Sequence, residues 1–79
     1  MQASAAKLLK TFGRSIRMLR KQRGLSQEDL AEAAGMSRNY ISDIERGVRN
    51  PGLLALIALA KALKVSLREL VEEIEPRSR

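Results

Sequence analysis

Residues 36–51, MSRNYISDIERGVRNP, place several hydrogen-bonding side chains on a segment short enough to form one brief helix. Arg38 and Asn39 stand next to each other at its start. An arginine guanidinium can donate two hydrogen bonds to O6 and N7 of guanine, and an asparagine amide can pair with N6 and N7 of adenine. The chemistry that these side chains suit is therefore non-covalent recognition of base edges.

The apolar residues of this segment show how such a helix is anchored. Ile41 and Ile44 are three residues apart, so they share one face of a helix that turns by about 100° per residue. The polar side chains lie on the opposite face or on its shoulder: Arg38, Asn39, Ser42, Asp43 and Arg46. The pattern predicts a helix with one buried face and one hydrogen-bonding face.

The composition argues against enzyme chemistry. The chain contains no cysteine, which excludes disulfides and thiolate metal sites, and no histidine, the usual proton shuttle and commonest metal ligand. No two carboxylates are placed to share a pocket. We therefore expect no catalytic site, no metal, no cofactor and no small-molecule ligand.

Length and charge define the class of protein. Seventy-nine residues suffice for one domain, here predicted as residues 1–79 with a core of about 5–75. The N-terminus lacks the pattern of a signal peptide, and no apolar run reaches the length of about 20 residues that a membrane span needs. We expect a cytoplasmic protein without a membrane partner. The net charge is +6, and residues 1–23 contain seven basic residues and no acidic one. A basic segment suits a polyanion, although it can also serve solubility alone.

The whole chain is predicted to be helical. Apolar residues recur at three- and four-residue steps, and serine, glycine and proline mark the ends of the segments. The predicted helices run from Ala5 to Arg23, from Ser26 to Gly35, from Ser37 to Arg46, from Leu53 to Leu63 and from Ser66 to Ile74. Ser26 with Asp29, and Ser66 with Glu69, have the spacing of capping boxes.

The second and third helices have the spacing of a helix-turn-helix over residues 26–46. Relative positions 1, 5, 9, 15 and 18 are occupied by Gln27, Ala31, Gly35, Ile41 and Ile44. A small Ala31 lets two helices cross, Gly35 permits a sharp turn, and the isoleucines fix the third helix to the core. In this motif the second helix enters the major groove of DNA. We predict an all-α, five-helix fold.

The sequence resembles a known family over roughly residues 12–74. SIRMLRKQRGLSQEDLAEAAGMSRNYISDIERGVRNP is similar to the Cro/repressor-type helix-turn-helix domain of phage repressors and bacterial regulators, with a lambda-repressor-like fold. LLALIALAKALKVSLREL resembles its fourth and fifth helices. Controller proteins of restriction–modification operons are small members of this family. The resemblance implies a transcriptional regulator that binds operator sequences in double-stranded DNA and blocks or recruits RNA polymerase.

The resemblance also implies roles for individual residues. Arg38, Asn39 and Ser42 match base-contact positions. Asp43 either accepts a hydrogen bond from cytosine or orients Arg46, and we favour the second role. Tyr40 either donates its hydroxyl to a phosphate or packs its ring on the domain edge. The expected phosphate contacts are Gln27, Tyr40, Arg46, Arg49, Arg17 and Arg14. Arg20 and Glu45 match a partly buried ion pair between the first and third helices.

The fourth predicted helix is apolar almost all round. Its core residues are predicted to be Leu53, Leu56, Leu59, Ala60 and Leu63, which leaves an apolar surface that suggests a partner. We predict a two-fold homodimer on a roughly palindromic site, with an interface formed by Leu54, Ile57, Ala58, Leu67, Val71 and Ile74. The alternative is a protein-binding adaptor of the same fold, which would dock partners through the fourth helix without specific DNA binding.

Overall fold

The computed structural model describes residues 4–74. Within them the chain forms five α-helices and no strand, as predicted: α1 (Ala5–Gln22), α2 (Gln27–Ala34), α3 (Arg38–Arg46), α4 (Leu53–Leu63) and α5 (Leu67–Val71). Residue 75, the predicted closing proline at 76 and the predicted frayed tail lie outside the described residues. None of the helices within residues 4–74 is long and apolar enough to cross a membrane.

Serine side chains cap the N-termini of four of the helices. Ser4, Ser26, Ser37 and Ser66 each accept a hydrogen bond from the backbone N–H three residues later. At Ser26 and Ser66 the bond is reciprocal, because the side chains of Asp29 and Glu69 accept from the serine backbone N–H. Each cap satisfies N–H groups that have no partner inside the helix. Both predicted capping boxes are confirmed.

Three of the helix ends depend on left-handed backbone conformations, at Gly35, Gly47 and Lys64. Gly35 ends α2 with φ of 70°, which makes the sharp turn into α3. Lys64 ends α4 with φ of 59°, although its side chain disfavours that region. Arg23 Nη2 donates to the Lys64 carbonyl oxygen at 3.1 Å, so a contact from the end of α1 holds this end of α4.

The core lies among all five helices: α3 packs on α1 and α2, α4 packs on α2 and α5, and α5 also packs on α1. Its fully buried large side chains are Ile16, Leu30, Ile41, Ile44, Leu59, Leu63 and Leu70. One assignment from the sequence was wrong: Leu53 is 63% exposed. It is the first residue of α4 and follows the exposed Gly52, so it lies at the edge of the domain rather than beneath another helix.

The fifth helix is shorter than predicted. It ends at Val71 rather than near Ile74, and residues 72–74 form a turn. In that turn Glu72 N–H donates to Glu69 O and Ile74 N–H to Val71 O, so the hydrogen bonds span three residues instead of four. Such tightening is common at a helix end, and Pro76 follows in the sequence, where a helix could not continue unbroken.

Candidate nucleic-acid interface

Helix α3 is fixed by its apolar face and presents its polar face outward. Ile41 and Ile44 are 0% and 1% exposed, whereas Arg38 and Asn39 are exposed at the start of the helix. Ser42, one turn later, is half-buried. The predicted division of α3 into a buried and an outward face is confirmed, and its two exposed N-terminal side chains can reach a binding partner.

A glycine lets α1 approach α3 closely. A Cβ atom at Gly13 would lie 2.6 Å from the carbonyl oxygen of Glu45 and would also collide with that of Ile44. Since real Cβ atoms do not come this near to a backbone oxygen, the crossing requires glycine. This role of Gly13 was not predicted from the sequence, where the available signal was a glycine inside an otherwise amphipathic helix.

A buried cluster ties α1, α2 and α3 together. Arg20 Nε and Nη2 donate to the Glu45 carboxylate at 2.6 and 3.0 Å, and Arg20 Nη1 donates to the Leu25 carbonyl at 2.8 Å. Gln27 Nε2 donates to the same carboxylate at 3.0 Å. The hydrogen bond with Glu45 raises the pKa of the Arg20 guanidinium above its ordinary value. The ion pair expected from the resemblance is present, with Gln27 as an additional member.

The C-terminal half of α3 carries a second, exposed network. Asp43 accepts a hydrogen bond from Arg46 Nη2 at 2.6 Å and lies 3.7 Å from Arg49 Nη2. The Arg49 guanidinium also lies over the Tyr40 ring, 4.9 Å from its centroid. This ring packs on the edge of the core. Asp43 therefore touches two of the arginines that were predicted to contact phosphate.

The first helix carries a basic stripe. Lys10, Arg14, Arg17 and Lys21 are all exposed, and their spacing of three and four residues places them on one face of α1. The stripe begins beside the loop after α3, because a Cβ atom at Gly47 would lie 2.8 Å from Lys10 Cγ. Arg14 and Arg17 were predicted as phosphate contacts. Lys10 was missed, although it shares their periodicity.

The predicted dimer face is partly exposed. Leu54 is 80% exposed and Leu67 is 38% exposed, whereas Ile57, Ala58, Val71 and Ile74 are half-buried. Val71 and Ile74 line one side of an apolar groove whose other walls include Leu8, Leu9, Phe12 and Leu56. The apolar surface left on α4 thus continues across α5 towards the start of α1.

Between residues 4 and 74 the structure contains no group of three or more acidic side chains placed to hold a metal ion. Each of the two polar clusters described above has one carboxylate at its centre. Glu45 binds Arg20 and the Gln27 amide, and Asp43 pairs with two arginines. Such groups can bind and orient a partner.

The helix-turn-helix family model matches residues 16–70, which is more than half of the chain and includes α2 and α3 entirely. The chain belongs to this helix-turn-helix family. The family match covers the buried cluster of Arg20, Gln27 and Glu45 as well as the exposed network around Asp43, and it confirms the resemblance that the sequence indicated.

Individual relatives in the family include regulators of several kinds. The chain is 45% identical over 62 residues to the uncharacterized HTH-type transcriptional regulator y4dJ of Sinorhizobium fredii, covering 78% of this chain and 80% of that protein. It is 46% identical to the immunity repressor of Bacillus phage phi105, with 80% of this chain but only 44% of the repressor covered.

A solved structure matches over nearly its full length. The restriction-modification controller protein C.AhdI from Aeromonas hydrophila superimposes with a TM-score of 0.77 and 48% sequence identity, covering 82% of this chain and 97% of that one. The fold of this chain is therefore similar to that of the controller protein. The predicted likeness to phage repressors and to controller proteins is confirmed.

Proposed function

We propose that the chain is a sequence-specific DNA-binding transcriptional regulator that acts as a homodimer on a roughly palindromic operator. The observation that carries this proposal is the outward presentation of Arg38 and Asn39 on a helix whose opposite face is fully buried. A reading helix must be held rigidly, and the cluster of Arg20, Gln27 and Glu45 supplies that support. Residues 26–46 are the DNA-reading unit and residues 53–74 the dimerisation unit.

Base recognition is assigned to the first two turns of α3. Arg38 donates two hydrogen bonds to one guanine, and Asn39 pairs with one adenine. Ser42 follows Arg38 and Asn39 by one turn and can reach the next base or its phosphate. These contacts choose the sequence, whereas the contacts with the DNA backbone provide most of the salt-dependent affinity.

Phosphate contacts are assigned to residues around the reading helix. Arg14 and Arg17 lie on the exposed stripe of α1, and Arg46 and Arg49 flank the loop that follows α3. Lys10 joins them because it lies beside that loop. The Gln27 side chain is engaged with Glu45, so its phosphate contact is assigned to the backbone N–H at the start of α2.

Of the two roles predicted for Tyr40, ring packing has more support than a hydrogen bond from its hydroxyl to a phosphate. The packing of its ring at the edge of the core and beneath Arg49 favours a role as a platform for that guanidinium. An arginine held over an aromatic face loses less conformational freedom when it binds a phosphate. We retain the hydroxyl as a second, weaker phosphate donor.

The dimer is assigned to the apolar surface on α4 and α5. Leu53 and Leu54 are neighbours and are 63% and 80% exposed, and an apolar patch of this kind on a small domain favours burial against a partner. Two copies related by a two-fold axis would place their reading helices in successive major grooves, about 34 Å apart. The similarity to the controller protein C.AhdI favours control of a restriction–modification operon. The regulator would act in the cytoplasm, where the bound dimer blocks or recruits RNA polymerase.

Selection of bound duplexes from a random DNA library tests this function. We expect enrichment of an inverted repeat with half-sites about one helical turn apart. An enriched half-site without a repeat would overturn the dimer. Salt-sensitive binding without enrichment of any sequence would overturn the role of α3 in reading bases. The alternative function, an adaptor that docks protein partners through Leu54 and its neighbours, would then be favoured.

A further inference from the structure

Asp43 is an acidic side chain on the face of α3 that the proposed function directs at DNA. At helical spacing it lies one turn after Asn39 and one turn before Arg46. A carboxylate in this position repels the phosphates of any duplex that approaches. Repulsion acts on every sequence alike, so the charge weakens non-specific and specific binding together unless something compensates for it.

The compensation is visible in the contacts of Asp43. Its carboxylate binds Arg46 at 2.6 Å and lies 3.7 Å from Arg49, so one negative charge is shared between two positive ones. The Asp43 side chain is 29% exposed, whereas the side chains of Arg46 and Arg49 are 64% and 50% exposed. The acid is therefore the inner member of the network, and the arginines are its outer, accessible members.

Arg49 is restrained from two directions. Its guanidinium lies 4.9 Å from the centroid of the Tyr40 ring while it also faces Asp43. A guanidinium that is both stacked and paired has fewer positions open to it than a free one. The network therefore determines where Arg46 and Arg49 can meet a phosphate, as well as how strongly they attract one.

We propose, on the basis of the proposed DNA-binding function, that Asp43 is a specificity-determining residue that restrains Arg46 and Arg49 and suppresses their binding to non-specific DNA. On a non-cognate duplex the two arginines stay paired with Asp43. They then neutralise few phosphates, and few counterions leave the DNA. On the cognate duplex the base contacts of Arg38 and Asn39 set the register in which phosphates meet the restrained guanidinium groups. Asp43 therefore lowers affinity for wrong sequences more than affinity for the right one.

The test compares wild-type protein with Asp43→Asn, which keeps the shape of the side chain and removes its charge. Each protein is titrated with a duplex enriched from a random library by the wild type, and with a scrambled duplex of equal length and composition. Each released arginine that gains a phosphate steepens the logarithmic dependence of affinity on salt by about 0.9. In the dimer, the loss of scrambled-duplex affinity between about 50 and 200 mM salt should grow by about 12-fold for one released arginine in each protomer and by about 150-fold for two.

The matched control is Glu32→Gln, which makes the same change in net charge on an exposed part of α2. Asp43→Glu keeps the charge and should retain most of the wild-type selectivity. Combining Asp43→Asn with Arg49→Ala should return the scrambled-duplex salt dependence towards the wild-type value, because the released arginine is then absent. Thermal melting of each variant verifies that the fold is intact.

Three results would overturn the inference. One is a scrambled-duplex affinity and salt dependence of Asp43→Asn equal to those of the wild type. Another is an equal change in Glu32→Gln, which would indicate net charge alone. The third is a loss of cognate affinity confined to one base pair, which would make Asp43 a direct reader of cytosine. If the wild type prefers no duplex over another, the proposed function itself fails, and this inference with it.

Discussion

The guanidinium of Arg20 and the carboxylate of Glu45 form a two-point ion pair between α1 and α3. Nε lies 2.6 Å from Oε2, and Nη2 lies 3.0 Å from Oε1. The two side chains are only 10% and 5% exposed, and they are 25 residues apart in the sequence. The pair therefore fixes the C-terminal end of α3 against α1 from within the domain.

Removal of Arg20 should destabilise the domain strongly. Arg20→Ala leaves the nearly buried Glu45 carboxylate with the Gln27 amide as a hydrogen-bond donor but without its positive partner, and breaking a buried pair in this way costs about 3–5 kcal/mol. Urea denaturation measures the free energy of unfolding. Arg14→Ala removes an exposed arginine from the same helix and should change it by less than about 0.5 kcal/mol. Similar losses in the two variants would contradict the structural role of the pair.

Gly13→Ala should also destabilise the domain, although replacing glycine by alanine inside a helix usually stabilises it. In a helix interior alanine is favoured over glycine by about 1 kcal/mol. The added methyl group would collide with the backbone of α3, however, and forcing atoms into a packed region costs about 1–3 kcal/mol or more. We expect a net loss of stability on thermal and urea denaturation, with weaker DNA binding because α3 must move.

The control for Gly13 is Gly52→Ser. A Cβ atom at Gly52 meets nothing within 4 Å, and serine is a good residue at the N-terminus of a helix. This variant should match the wild type within a few tenths of a kcal/mol. A gain in stability from Gly13→Ala would show that the close crossing of α1 and α3 does not constrain that position.

Neutralising Arg17 should weaken binding to every DNA sequence by a similar factor. Arg17 lies on the exposed basic stripe of α1, where we propose a phosphate contact. Arg17→Ala should lower the steepness of log affinity against log salt concentration by about 0.9 for each protomer, or about 1.8 for the dimer, with selectivity unchanged. Fluorescence anisotropy at several salt concentrations measures the slope. A change of sequence preference with an unchanged slope would place Arg17 at a base instead.

A charge on α4 should dissociate the proposed dimer. Leu54→Glu places a carboxylate on a side chain that is 80% exposed, so the monomer fold should tolerate it. At an apolar interface the same charge would be buried without a partner, which is strongly unfavourable. Sedimentation velocity should show a dimer for the wild type and a monomer for Leu54→Glu.

Met18→Glu provides the matched control for the interface, because Met18 is also exposed, at 49%, but lies on α1 outside the predicted dimer face. It should sediment as the wild type does. A dimer that persists in Leu54→Glu, or one that is lost in Met18→Glu, would show that the interface lies elsewhere.

The helix ends show why much of the fold could be predicted. Caps at Ser26, Ser37 and Ser66, and the left-handed turn at Gly35, depend on residues a few positions apart, so the sequence contains the whole signal. The left-handed Lys64 could not be predicted in this way. Its carbonyl oxygen accepts a hydrogen bond from Arg23, a residue 41 positions away, and such a contact exists only after the helices have packed.

The same distinction applies to the candidate site. The outward face of α3 follows from the periodicity of Ile41 and Ile44, which is local. The position of Arg49 over Tyr40 and beside Asp43 depends on the path of the loop after Gly47, which no periodic pattern describes. The exposure of Leu53 likewise depends on which parts of α4 the other helices cover.

The central claim is that α3 reads DNA through Arg38. Its most direct test is to select bound duplexes from one random library in parallel with the wild type and with Arg38→Ala. We expect the variant to lose its preference at one base pair in each half-site, to bind the wild-type sequence more weakly by about 1–3 kcal/mol for each half-site, and to keep the other preferences. Identical enriched sequences and affinities for the two proteins would contradict the assignment of Arg38 as a base-reading residue.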